Sequence, residues 1–144
     1  AVATVTGRSK LLWWLIVTLS ALLAGWAVWS GYALEIFQTD QTYLSSATFT
    51  LYVMATGYLG IALHRGRAPR WDWLDFVDER LVQMGLAGTV VGMLIVLRAF
   101  WTGADFELVE AYRLIGSGSA TALYTTVVGM VCSEFIKLQV RVVR

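Results

Sequence analysis

The chain of 144 residues contains one cysteine, one histidine and one proline. A lone cysteine, Cys132, cannot form a disulfide within the chain, and its place in an apolar run marks it as a small buried residue. With one histidine, His64, there is no histidine–carboxylate cluster for a metal and no nucleophile–base pair for covalent catalysis. A glycine-rich phosphate loop is missing as well. No enzyme, no resident metal and no cofactor is therefore expected. Charge is equally scarce. Charged side chains make up 15% of the chain and the net charge is +1, which gives no footprint for nucleic acid.

What is abundant is apolar surface: 58% of residues are hydrophobic and the mean hydropathy is +0.65. The charges gather between four uncharged stretches, 11–34, 41–63, 81–97 and 114–133, rather than spreading along amphipathic faces. Each stretch, the last two lengthened by snorkelling Arg and Lys, is about the 20 residues that a roughly 30 Å hydrocarbon core requires. The expectation is an all-α membrane protein, one domain over 1–144, with helices at about 11–34, 44–63, 81–100 and 119–138. The first run exceeds the apolar core of a cleaved signal peptide and is expected to remain as a helix. Nine of the eleven Lys and Arg residues lie in the N-terminal segment, in 64–80 or in the C-terminal tail. That bias predicts an inner or plasma membrane protein with both termini and the middle loop in the cytoplasm.

Taken in order, residues 1–10 form a basic lead-in with Arg8 and Lys10, and Trp13, Trp14, Trp26, Trp29 and Tyr32 sit near the ends of the first helix as interfacial belts. Residues 35–43 read as a short external loop carrying Glu35 and Asp40. In the second helix Thr48, Tyr52, Thr56 and Gly60 form a stripe at four-residue spacing, a packing face. Residues 64–80 hold His64, a basic turn around Pro69, and then Trp71 to Arg80, where aromatic and aliphatic residues interleave with Asp; a short helix in the headgroup layer over 71–80 is predicted. Residues 101–118 read as an acidic external loop with Asp105, Glu107 and Glu110, flexible through Gly116–Ser119, whose serines are placed to cap the last helix.

The last two spans carry the most specific pattern. Gly85, Gly88 and Gly92 recur with Thr89 in one, and Ala122, Thr126, Gly129 and Ser133 recur in the other, so each helix has a face of small and hydroxyl side chains. In lipid such a face permits close helix approach, because association there depends on packing and polar contacts. Within these faces stand Gly88-Thr89-Val90-Val91-Gly92-Met93 and Ala122-Leu123-Tyr124-Thr125-Thr126-Val127-Val128-Gly129. This pair of strings, in this order on adjacent spans, resembles the paired motifs of the MotA/TolQ/ExbB proton-channel family over about 81–138, and the four-span layout is similar to the MotA branch.

The resemblance implies a pentameric helical barrel whose last two helices line a pore around two membrane helices of a MotB/ExbD/TolR-type single-span partner. An aspartate on that partner would take up and release the ion, proton or sodium, and the ion motive force would be converted into motion. Thr89 and Thr126, with Thr125 beside them, would supply pore hydroxyls, and Gly88, Gly92 and Gly129 the close helix approach. The chain departs from the family in two places. It has only 64–80 where MotA-like proteins carry a large cytoplasmic domain, and Val131–Phe135 where the family has a proline-containing segment. Two other readings compete with this one. Glu134, which follows Ser133 about a turn before Lys137, is the candidate coupling acid of a small four-helix proton-coupled transporter; a non-conducting membrane scaffold is the other.

Overall fold

Glycine decides where two of the helices stop. The computed structural model describes residues 7–40, 42–101 and 108–144, which form five helices: α1 (Gly7–Trp29), α2 (Tyr32–Thr39), α3 (Leu44–His64), α4 (Trp71–Trp101) and α5 (Leu108–Val143). There is no strand among the described residues. α1, α3, α4 and α5 are each long and apolar enough to cross a membrane, in agreement with the four spans expected from hydropathy.

α1 stops at Trp29 because Gly31 adopts the left-handed conformation (φ 82°), which ends the run of helical hydrogen bonds and restarts the chain as α2. The sequence expectation of one helix through residue 34, followed by a loop from 35, is corrected accordingly: Glu35 lies inside a short helix. Its carboxylate accepts a 3.0 Å bond from the Tyr124 hydroxyl of α5, and the Thr121 hydroxyl donates to the Thr39 carbonyl at 3.0 Å. At the end of α3, Gly66 (φ 63°) and the 3.0 Å bond from Arg67 N–H back to the Ala62 carbonyl close the helix, and Pro69 follows.

The turn between α2 and α3 is organised by Asp40, which is 3% exposed. Its carboxylate accepts from the Thr42 hydroxyl (2.6 Å), the Thr42 N–H (3.0 Å) and the Ser45 N–H (2.7 Å), so it satisfies a free donor in the first turn of α3. Burial pushes the Asp40 carboxyl upward, but these bonds together outweigh it and hold the group below the ordinary carboxylate range.

α4 and α5 have 31 and 36 residues. At 1.5 Å per residue they are about 46 and 54 Å long, well beyond a hydrocarbon core of about 30 Å. Both run past the rest of the bundle at the end where α1 finishes and α3 begins: Thr121 already meets Thr39 at the end of α2, and α5 extends from there back to Leu108 while α4 reaches Trp101. The opposite end, where Gln139 lies level with Trp13 and Thr56, carries Lys10, Arg65, Arg70, Arg80, Lys137 and Arg144. The segment 71–80, expected to lie separately in the headgroup layer, is the first part of α4. Leu74, Val77 and Leu81 share one helical face and are fully buried against Leu59 of α3 and Ile136 of α5. Residues 108–118, expected in a loop, belong to α5, and the Ser117 hydroxyl bonds back to the Leu114 carbonyl instead of capping a helix. Asp105 and Glu107 lie outside the described residues.

α1 is held by a single buried side chain, Trp13. Its ring lies against Gly60, where an added Cβ would come within 2.6 Å of the indole. Its Nε1–H donates to Gln139 Oε1 at 3.2 Å; Gln139, itself fully buried, donates to the Thr56 hydroxyl at 3.2 Å and approaches the Tyr52 hydroxyl at 3.4 Å. The Thr48–Gly60 stripe is thus a packing face with a polar centre.

Two outcomes follow from these contacts. Trp13→Phe keeps the ring but leaves Gln139 Oε1 buried without its donor, and should lower stability by about 1–3 kcal/mol, read as an earlier thermal transition in detergent. For Asp40, a carboxyl lowered in the folded state contributes stability that is present above its unfolded pKa and is lost as pH falls through the folded one. The stability gap between the wild type and Asp40→Asn should therefore be full at neutral pH and shrink on acidification below the ordinary carboxylate range; a gap independent of pH would refute the assignment.

Candidate functional site

In α4 and α5 the two small-residue faces meet each other. Gly92 lies against Gly118 and Ala122: a Cβ at Gly92 would stand 2.5 Å from the Gly118 carbonyl oxygen and 2.7 Å from Ala122 Cβ. A Cβ at Gly129 would fall 2.8 Å from the Leu81 carbonyl oxygen and 2.9 Å from Gly85 Cα. Gly88 receives the side chain of Thr125, whose Oγ1 would be 2.1 Å from an added Cβ. Five glycines thereby let two backbones approach with almost nothing between them. Gly118, expected in a flexible run, is one of the five; its missing side chain serves packing, not mobility.

Thr89 and Thr126 are brought into direct hydroxyl contact across this seam, both half-buried. Around them stand two chain carbonyls: that of Ala122, 2.8 Å from Thr126 Oγ1, and that of Gly85, 3.3 Å from both hydroxyls. Each hydroxyl owns one proton and two lone pairs. One proton can bridge the pair while the other goes to a carbonyl, and lone pairs remain for a donor arriving from outside. Thr125, expected with them along an ion pathway, faces the interior of the seam and donates to the Thr121 carbonyl of its own helix at 2.9 Å.

A second polar group lies toward the basic end of the two helices. Ser133, fully buried, donates to Asp78 Oδ1, and Lys137 Nζ stands 4.0 Å from Asp78 Oδ2 and 3.1 Å from Glu134 Oε1. The Glu134 side chain is 69% exposed, whereas that of Asp78 is 24% exposed. Asp78 is the acid that sequence reasoning passed over. The signal was present: Leu74, Val77, Asp78 and Leu81 share one helical face, so the acid sits among residues that turn inward. Gln139 was missed for a different reason, since nothing in a basic tail marks one amide as buried. Among the described residues no three His, Cys, Asp or Glu side chains are grouped to hold a metal.

Comparison with protein-family models, with curated proteins and with solved structures finds no match for this chain. The reading of the site thus rests on its residues and their geometry.

Gly92→Leu should separate α4 from α5, because the obstruction is backbone and Cβ and not a flexible tip. Overpacking of this kind costs about 1–3 kcal/mol or more. Gly116→Ala is the internal control, since a Cβ there meets nothing within 4 Å. Thermal unfolding in detergent should show a lowered transition for Gly92→Leu and none for Gly116→Ala; equal behaviour would mean that the seam is not close-packed.

Proposed function

We propose that this chain is one subunit of an ion-conducting membrane motor or stator, in which several copies, five by the resemblance, surround a single-span partner that carries the ion-binding carboxylate. The observation that carries this reading is the Thr89–Thr126 contact: the two motifs that support the resemblance, 37 residues apart, place their threonines side by side between two membrane helices. A hydroxyl pair is suited to a carboxyl that changes its protonation. With their protons turned inward the threonines accept from a protonated acid or a hydrated cation. When that acid ionises, the proton bridging the pair can turn outward and donate to it. The site therefore stays neutral, which matters because a fixed charge in the bilayer centre costs about 2.5–3.5 kcal/mol on insertion scales. An ion crossing 100 mV supplies roughly 2.3 kcal/mol per charge.

In this reading the basic end of α4 and α5 faces the cytoplasm, and both termini lie there. The short connection between α3 and α4 leaves no room for a large rotor-binding domain, so the driven process differs from flagellar torque by the usual route. A transporter that uses Glu134 as its coupling acid draws less support, because that carboxylate is exposed and lies against Lys137. A non-conducting scaffold would give no flux under any condition.

Ion flux into vesicles containing this chain and its single-span partner, under an imposed potential, tests the proposal. Thr126→Val should lower flux about tenfold, the equivalent of one lost hydrogen bond of about 1.4 kcal/mol, while native mass spectrometry still finds the assembly. Thr126→Ser should retain most of the flux and Glu134→Gln should change it little. Normal conduction by Thr126→Val with none by Glu134→Gln would transfer the role to Glu134.

A further inference from the structure

α1 leans on α5 and α2 more than on α3, which it meets through Trp13 against Gly60, and beyond Trp13 a groove of about 870 Å³ opens between α1 and α3. Its walls are apolar and its floor is made of small residues, Ser20, Ala21 and Ala24 on one side and Gly57 on the other. A Cβ at Gly57 meets nothing within 4 Å, so the two walls are not in contact there. No residue of α4 or α5 lines the groove, which therefore lies apart from the threonine pair. Its mouth is of another character. Lys10, His64 and Arg65, all exposed, converge there from the start of α1 and the end of α3. Among the described residues both ion pairs belong to Lys137, so Lys10 and Arg65 face the mouth without a carboxylate.

We propose that this groove binds one anionic phospholipid, with an acyl chain between α1 and α3 and the phosphate held by Lys10, His64 and Arg65. The dimensions favour a lipid over a helix. A helix is about 10 Å across, so 870 Å³ would take in only about two turns of one. From Lys10 to Ala24 the groove runs about 21 Å at 1.5 Å per residue, a headgroup layer plus the roughly 15 Å of one leaflet's half of the hydrocarbon core. The charge arrangement favours an anionic headgroup over a zwitterionic one, as basic clefts between membrane helices do generally. The bound lipid fills the gap beside α1, whose one buried side chain is Trp13.

The test uses the purified chain without its partner, so it is independent of ion conduction. The protein is reconstituted in vesicles of equal parts phosphatidylglycerol and phosphatidylcholine with identical acyl chains, extracted in mild detergent and weighed by native mass spectrometry. Phosphatidylglycerol should be retained about tenfold over phosphatidylcholine, and the double variant Lys10→Gln/Arg65→Gln should bring the two to parity. Gly57→Leu fills the groove from open space; it should remove the retained lipid while leaving the thermal transition in place. Equal retention in the wild type, a preference that survives loss of both charges, or undiminished retention by Gly57→Leu would each overturn the proposal. So would variants that change only the number of chains per particle, which would show that the groove holds a second copy.

Discussion

The backbone contact between α4 and α5 is the constraint from which the other features follow. Glycines at 85, 88, 92, 118 and 129 remove the side chains that would hold two long helices apart. In lipid, where apolar residues gain nothing by leaving water, that removal substitutes for a hydrophobic core, because dispersion contacts and short polar contacts grow as the backbones close. The hydroxyls of Thr89 and Thr126 meet as a result of this approach. A bulkier seam would leave each to bond back to its own helix.

α5 then serves as the post on which the remaining helices hang, and the attachments are polar as well as apolar. Thr121 and Tyr124 hold α2, Ser133 holds α4 through Asp78, and Gln139 joins α1 and α3. Each is a group that would be costly to leave unpaired away from water. Toward the basic end the packing changes to large aliphatic side chains, Leu59, Leu74, Val77, Leu81 and Ile136, which fill the space among α3, α4 and α5 beyond the glycine seam. α1 has one such attachment, and the cleft beside it is the consequence.

Of the fold, the four spans were legible because hydropathy is a sum over neighbouring residues and needs no knowledge of partners. The paired motifs were legible for the same reason, as strings with fixed internal spacing. The break at Gly31 was not, since Gly31 to Leu34 are uncharged and a sum cannot register a left-handed φ. Nor could it show that Gly116–Ser119 continue a helix: the same glycine that loosens an isolated chain becomes an asset once Gly92 lies opposite Gly118 at contact distance.

The sequence by itself determined an all-helical chain with four membrane-length helices, two of them with small-residue faces and threonines, and a surplus of basic residues at the segments that end together. Only the tertiary structure decided that those two faces meet within one chain, that Thr126 touches Thr89 while Thr125 turns inward, and that Gln139 is buried and Asp78 half-buried while Glu134 is exposed. The physical reason is range. Composition and periodicity act over one or two helical turns, whereas the Thr89–Thr126, Ser133–Asp78 and Trp13–Gln139 contacts join residues 37, 55 and 126 positions apart, and exist only once the helices have packed.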